Sequence, residues 1–241
     1  MPVIDPSRLA QQVAQLPAVS ADPAELTQAV AKLLDEYVDR TRRLPLEDSP
    51  VPAPVQRAIL HSLLGALESD PDALARTAAA LWQAGPIAAK SLAAGLIGSC
   101  PGGSAADLAQ TWATEAVPPR VIQLLGEVGL TSWRRTHPSE FLQRAEGWLA
   151  DRRRPLALYG LRAAVQEAEF EDLPAVFQLL DGFGGRVRGE SKRAFGLLIK
   201  AMASRSANET AQFLVEQVEA GVPGTAWMRA LLSDRAFPSP R

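Results

Sequence analysis

Cysteine and histidine are almost missing from the sequence. Cys100 is the single cysteine, and His61 and His137 are the two histidines among 241 residues. One cysteine excludes an internal disulfide and is typical of a protein from a reducing compartment. The histidines have no cysteine or carboxylate at ligand spacing, and no basic residue close to Cys100 in the sequence would lower the pKa of its thiol. We therefore expect a cytoplasmic protein without a metal site, a cofactor or a nucleophilic cysteine.

Strand-forming patterns and long apolar runs are also lacking. Aromatic residues make up 6% of the chain, and alternating runs rich in Val, Ile and Thr are nearly absent. The longest apolar stretch, at 87–97, contains Lys90 and is shorter than the roughly 20 residues that cross a bilayer. The N-terminus has no basic segment followed by an apolar one, so no secretory signal is predicted. Ala and Leu, both strong helix formers, dominate instead and predict an all-α protein that does not enter the membrane.

The stretch 137–170 shows a pattern that the rest of the chain repeats. Apolar residues at helical spacing over 141–149 predict one amphipathic helix, and those over 158–168 predict a second. The residues between them, 151–154, predict a turn. Neither helix can bury its apolar face alone, so we expect the pair to pack against itself and against neighbouring pairs.

Proline and glycine separate about a dozen predicted helices, and the helix pairs recur at a period of roughly 30–40 residues. This period predicts a right-handed α-solenoid of antiparallel helix pairs, of the HEAT type, with a compact non-repeating bundle as the alternative. Four prolines between 45 and 54 predict a stiff connector. The predicted domains are therefore 1–54, with N-terminal helices and the connector, and 55–241, with the helical repeats in one continuous array.

The sequence has no large excess of either charge, but the two signs are unevenly distributed. The net charge of −2 excludes a global basic field for binding nucleic acid. Residues 131–205, however, hold 13 basic and 9 acidic residues. In a solenoid, equivalent positions of successive repeats line one ridge, so these cations predict a phosphate-binding stripe, with solvated turns and helix ends as the alternative. The candidate binding cations are Arg134, Arg135, Arg152, Arg153, Arg154, Arg186, Arg188, Lys192 and Arg193.

Trp133 is the tryptophan for which exposure is predicted. It precedes two arginines in a stretch that resembles a loop. It would stack on a base or on a partner protein, or else plug the end of a helix. By contrast, Trp148 lies on a predicted apolar helix face and is expected in the core.

Three segments carry a resemblance to a known family: PIAAKSLAAGLIGSCP at 86–101, WLADRRRPLALYGLRAAVQEAEFEDLPAVFQLL at 148–180 and RSANETAQFLVEQVEA at 205–220. They are similar to the HEAT-repeat proteins grouped with the bacterial alkylpurine DNA glycosylases, the AlkD-like DNA alkylation repair family. The resemblance covers about residues 55–220. It implies a solenoid whose concave face binds duplex DNA through Lys and Arg, with tryptophans and an aspartate near the lesion.

The resemblance also implies a catalytic pair. Active members of that family carry a Trp-x-x-x-Asp spacing on one helix. The corresponding tryptophan here is Trp112, and the residue four positions later is Ala116. Glu115, three positions after Trp112, is the available carboxylate, although it occupies a different angular position on the helix. Trp112 and Glu115 are therefore the catalytic candidates.

Two hypotheses about function follow. The favoured one is a non-catalytic, HEAT-like α-solenoid that acts as a scaffold and binds a macromolecule, with a protein as the expected partner. It depends on the repeated pairs and on the absence of hydrolase, kinase, zinc-protease and phosphate-loop motifs. The alternative is a divergent AlkD-like protein that binds duplex DNA or excises alkylated bases.

Overall fold

The computed structural model describes residues 4–16, 22–39, 51–83, 85–100, 102–115, 117–183, 187–221 and 225–232. All regular structure in these ranges is helical and none of it is strand, which confirms the all-α prediction. By its internal contacts the chain divides into two compact units, Met1–His137 (unit 1) and Pro138–Arg241 (unit 2). The domain boundary at residue 54 stays a prediction, because residues 40–50 of the connector lie outside the described residues.

The helices of unit 1 and unit 2 are numbered here along the chain. Unit 1 contains α1 (Pro6–Gln15), α2 (Pro23–Glu36), α3 (Ala53–Leu67), α4 (Pro71–Gln83), α5 (Ile87–Ile97), α6 (Ser104–Trp112), α7 (Pro119–Leu124), its π-helical continuation (Leu125–Gly129), and α8 (Thr131–Thr136). Unit 2 contains α9 (Pro138–Leu149), α10 (Arg154–Gln166), α11 (Leu173–Leu180), α12 (Glu190–Arg205), α13 (Ala207–Glu219) and α14 (Met228–Leu232).

Asp-Pro pairs start three helices of unit 1. The carboxylate of Asp5 accepts a hydrogen bond from the backbone N–H of Ser7 at 2.9 Å, and that of Asp22 accepts one from Ala24 at 3.0 Å. Asp70 likewise accepts the N–H of Ala73 at 2.8 Å. Each carboxylate satisfies an amide that the first helical turn leaves unpaired, while the proline occupies a position where its missing N–H costs nothing.

The centre of unit 1 is α5, a helix built mainly of small residues. Eight of its 11 residues are buried, among them Ala89, Ala93 and Gly95. Small side chains allow neighbouring backbones to approach closely, and α5 packs against α3, α4, α6, α7 and the π-helical segment. In unit 1, α1 also packs on α3 and α2 on α4.

The end of α5 closely approaches the backbone of the π-helical segment. A Cβ atom added to Gly98 would lie 2.3 Å from the carbonyl oxygen of Val128. The N–H of Ser132 donates to the carbonyl of Gly98 at 3.0 Å, so the chain is also hydrogen-bonded at this crossing. A side chain larger than hydrogen at Gly98 would separate these two backbones.

The helix pair predicted at 137–170 forms α9 and α10 in unit 2, as expected. Phe141, Trp148, Leu158 and Leu161 from the two predicted faces are all buried. Nine of the 13 residues of α10 are buried, which makes it the central helix of unit 2. It packs against α9 on one side and α12 on the other.

Two helix predictions are wrong in extent. The apolar residues at helical spacing that follow Asp22-Pro23 predict one helix over 24–43. The helix ends instead at Glu36, where the N–H of Tyr37 donates to Leu34 and forms a tighter turn, and residues 40–43 lie outside the described residues. The predicted loop around Trp133 is instead the short helix α8. Neither ending carries a proline or glycine at the residue where the helix stops, and that punctuation was the basis for the predicted bounds.

Candidate functional site

The turn between α9 and α10 presents one exposed arginine and uses two others structurally. Arg152 is exposed. Arg153 forms a salt bridge with Asp151, and its Nε lies 2.9 Å from Oδ2 of that residue. Because the guanidinium of Arg153 hydrogen-bonds this carboxylate, it lowers the pKa of Asp151. Arg154 donates from Nε to the carbonyl of Leu149 at 2.8 Å and so covers the C-terminal end of α9.

Three exposed cations lie at the start of α12, two in its first turn and Arg188 just before the helix begins. Arg188, Lys192 and Arg193 all face solvent. The ammonium group of Lys192 lies 4.9 Å from the ring centroid of Trp227, a distance typical of a cation–π contact. This contact restricts the lysine side chain without neutralising its charge.

These two sets of cations lie at the same end of unit 2, because α10 and α12 run in the same direction. The hydroxyl of Tyr159, in the middle of α10, donates to the carboxylate of Glu190 at the start of α12. Just beyond the other end of α10, Arg205 of α12 donates to the carbonyl of Glu167 at 2.9 Å and to that of Phe170 at 2.7 Å. The start of α12 therefore lies beside the N-terminal half of α10, and we call the four exposed cations near the starts of these two helices, Arg152, Arg188, Lys192 and Arg193, the basic end.

The charge of the basic end is only partly offset by its own acidic residues. Asp151 is already bound to Arg153, and Glu190 accepts the hydroxyl of Tyr159. The N-terminal ends of α10 and α12 add the positive ends of two helix dipoles to the exposed cations. The arrangement suits carboxylates or phosphates of a partner, which helix N-termini and guanidinium groups both bind well.

Trp133 and Arg134 do not belong to an exposed surface, which corrects the expectation for both. Trp133 is 1% exposed and Arg134 is 3% exposed. The guanidinium of Arg134 points inward and donates to the carbonyl of Gly126 at 3.3 Å and to that of Glu127 at 3.5 Å. The π-helical segment leaves carbonyls near its end that the usual helical pattern would satisfy, and Arg134 supplies donors to them. Its neighbour Arg135 is exposed.

Trp112 lies in a closed aromatic cluster in unit 1. Its ring stacks on that of Trp82 with a centroid distance of 4.4 Å and an angle of 5° between planes. Trp112 is 5% exposed and Trp82 is 2% exposed. The ammonium group of Lys90 lies 4.4 Å from the ring centroid of Trp82. The stacked rings therefore have almost no surface left for a ligand.

Glu115 joins the same cluster as an acceptor. Its Oε2 accepts the indole N–H of Trp82 at 2.8 Å and lies 3.6 Å from Nζ of Lys90. This carboxylate thus fastens α4 to the residues that follow α6. Sequence reasoning paired Glu115 with Trp112 but missed Trp82 and Lys90. The lysine among small residues of α5 was the signal for them, because a long cationic side chain there must find a partner nearby.

Other kinds of site receive no support from the described residues. Within the ranges that the structure covers, no group of three or more His, Cys, Asp or Glu side chains is placed to hold a metal ion. Burial raises the pKa of the Cys100 thiol to about 11, which suppresses its thiolate. Among the helices described, none combines the length and the apolar character needed to span a membrane.

Comparison with protein-family models, with curated proteins and with solved structures finds no match to this chain.

Proposed function

We propose that this protein is a non-catalytic, HEAT-like α-solenoid that acts as a scaffold and binds an acidic macromolecular partner through the basic end of unit 2. The observation that carries the proposal is the placement of Arg152, Arg188, Lys192 and Arg193 near the starts of two parallel helices. An acidic protein surface is the favoured partner, because the net charge of the chain is −2 and the cations form one local surface.

The packing order of the helices supports the solenoid part of the proposal. In unit 1, α1 packs on α3, α2 on α4, α3 on α5 and α5 on α7. In unit 2, α10 packs on α12 and α9 on α11. Each of these contacts joins a helix to the next but one, and stacked helix pairs produce such contacts because equivalent helices of successive pairs lie side by side. The parallel course of α10 and α12 is an example of this repetition.

Purified full-length protein should be titrated against a labelled oligoglutamate peptide and, separately, a labelled DNA duplex at low salt. The test variant is Arg152→Gln/Arg188→Gln/Arg193→Gln, since all three side chains are exposed and none closes a helix end. The matched control is Lys200→Gln, an exposed cation farther along α12. We expect the triple variant to lose most of the affinity for whichever probe binds, and the control to retain it. Equal binding by the triple variant would show that the basic end is not the binding surface.

An AlkD-like DNA glycosylase is the second candidate, favoured by one observation. Trp112 and Glu115, the pair that the family resemblance implies, do belong to one cluster. For catalysis the stacked rings would have to separate, because Trp112 is 5% exposed. The test is release of alkylated bases from a damaged duplex. Release by the natural protein that is abolished in Glu115→Gln would replace the scaffold proposal, and no release from any alkylated duplex would exclude the glycosylase.

A further inference from the structure

A groove between α11 and α13 of unit 2 has a chemistry opposite to that of the basic end. Its volume is about 650 Å³, and it is open to solvent. Phe177 of α11 and Phe213 of α13 meet along it with ring centroids 5.4 Å apart. Phe177 is half-buried, whereas Phe213 is buried. The groove therefore offers an aromatic floor that water covers in part.

The rim of this groove is acidic. Glu209, Gln212 and Glu216, three exposed residues of α13, line it at intervals of three and four residues, which places them on one stripe of the helix. No lysine or arginine is found among the described residues that line it. Gln212 donates to Glu216 at 2.8 Å, which orients that carboxylate. The two carboxylates lie about two helical turns apart, so their attachment points are about 10 Å apart along α13.

We propose that this groove binds a basic peptide segment of a partner protein. The segment carries one large apolar side chain, which packs on Phe177 and Phe213, between two cationic side chains, which pair with Glu209 and Glu216. In an extended chain only alternate side chains face the same side, so the apolar residue lies two positions from each cation and the two cations lie four positions apart. The cations are then about 13 Å apart along the peptide, and their long side chains can reach the two carboxylates. The charge complementarity selects this occupant, because a polyanion or an acidic peptide would be repelled by both carboxylates.

This inference is independent of the basic end. The groove involves α11 and α13 and has acidic walls, whereas the basic end involves the starts of α10 and α12. A scaffold with both surfaces on one unit would hold an acidic partner and a basic partner at the same time. If one surface fails to bind its probe, the proposal for the other surface still stands.

The experiment is an NMR titration of the full-length, isotope-labelled protein. The probe is a synthetic peptide of eight residues, in which leucine lies midway between two lysines four positions apart and the rest are serine and glycine. A matched peptide has glutamate in place of both lysines. We expect saturable shifts of the amide signals of α11 and α13 with the basic peptide, at concentrations up to about 1 mM, and none with the acidic one.

Two variants test whether the charge of the groove rim determines binding of the basic peptide. Glu209→Gln/Glu216→Gln changes two exposed side chains and should weaken binding of the basic peptide about tenfold, since exposed ion pairs contribute modestly and two are removed. Glu219→Gln alters an exposed carboxylate of α13 that does not line the groove, and should leave binding unchanged.

Three results would overturn the proposal: no shifts with the basic peptide, shifts confined to other helices, or undiminished binding by the double glutamine variant. A dimer whose formation depends on protein concentration and perturbs the same amides would assign the groove to a second copy of this chain instead.

Discussion

Replacing Gly98 by alanine should destabilise unit 1 strongly, although the backbone of Gly98 accepts any residue. Its φ of −61° and ψ of −18° are ordinary helical values. The obstacle is space, because the added Cβ would lie 2.3 Å from the carbonyl oxygen of Val128 and 3.1 Å from its carbonyl carbon. Restoring an ordinary contact requires a movement of about 1 Å between α5 and the π-helical segment, and both contacting atoms belong to the backbone.

The cost of Gly98→Ala can be estimated from what this movement would disturb. Overpacking in a closely packed interior costs about 1–3 kcal/mol. The same movement strains the hydrogen bond from Ser132 to Gly98, worth about 1 kcal/mol. A loss of about 3 kcal/mol in the free energy of unfolding is therefore expected. Gly65→Ala is the matched control, because an added Cβ at this exposed position in the last turns of α3 meets nothing within 4 Å. It should stabilise unit 1 by about 0.5 kcal/mol, since alanine has the higher helix propensity.

Urea unfolding of the full chain, followed by circular dichroism, measures both effects. The two variants should shift the midpoint of the same transition in opposite directions, and the difference between their free energies of unfolding should be about 3–4 kcal/mol. Equal stabilities of Gly98→Ala and the unaltered protein would refute the close approach between α5 and the π-helical segment. A strongly destabilising Gly65→Ala would show that the helix-propensity argument fails in α3.

Three further predictions concern buried or paired polar groups. Arg134→Met removes the buried guanidinium that donates to the carbonyls of Gly126 and Glu127 and should cost about 2–4 kcal/mol in urea unfolding. Arg135→Met, at an exposed site, should change stability by less than about 0.5 kcal/mol, and similar costs for the two would contradict the inward placement of Arg134. Cys100, with a thiol pKa of about 11, should react with a disulfide reagent at pH 8 only when the protein opens, and rapid labelling of the native protein would show that the thiol is accessible. Because the folded pKa of this thiol lies above its ordinary value, its contribution to stability should decline as the pH rises above about 9. The folded pKa of Asp151 is lowered, so its ion pair stabilises the fold above the ordinary pKa near 3.8 and is lost as the pH falls through the folded value. Asp151→Asn should therefore remove up to about 1 kcal/mol at pH 7 and less at pH 3, and an equal loss at both pH values would contradict the pairing.

The helices could be predicted from the sequence, because the residues that start a helix and the spacing of its apolar residues are local features. Asp22 and Asp70, each followed by proline, mark helix starts through chemistry that involves only neighbouring residues. The apolar spacing around Phe141 and Trp148 predicted a buried face, which the structure confirms. Both inferences depend on the 3.6-residue period and on capping, and neither requires knowledge of distant contacts.

The candidate site was harder to predict from the sequence, because it depends on which helices pack against each other. Trp133 was the candidate for an exposed tryptophan, since two arginines follow it, with a place at a helix end as the alternative. It is buried, and Arg134 points inward to the π-helical carbonyls. A π-helical segment has no sequence signature comparable to a cap or a turn. Of the predicted binding cations, Arg152, Lys192 and Arg193 are exposed, whereas Arg153 and Arg154 are half-buried and hold the turn between α9 and α10. That the exposed ones lie near the same end of unit 2 follows only from the parallel course of α10 and α12.

The measurement that tests the central claim most directly is the salt dependence of probe binding, by fluorescence anisotropy of the full chain and of Arg152→Gln/Arg188→Gln/Arg193→Gln. If four cations contact a duplex, the logarithm of affinity should fall with the logarithm of salt concentration with a slope no steeper than about −3.6, roughly a 150-fold loss between 50 and 200 mM. For the oligoglutamate peptide we likewise predict affinity that falls as salt rises, through screening of the basic end. The triple variant should then retain little affinity and little salt dependence. Two results would contradict the claim that the basic end of unit 2 binds an acidic partner. One is that neither probe binds at 50 mM salt, and the other is that the triple variant shows the same salt dependence of affinity as the unaltered protein.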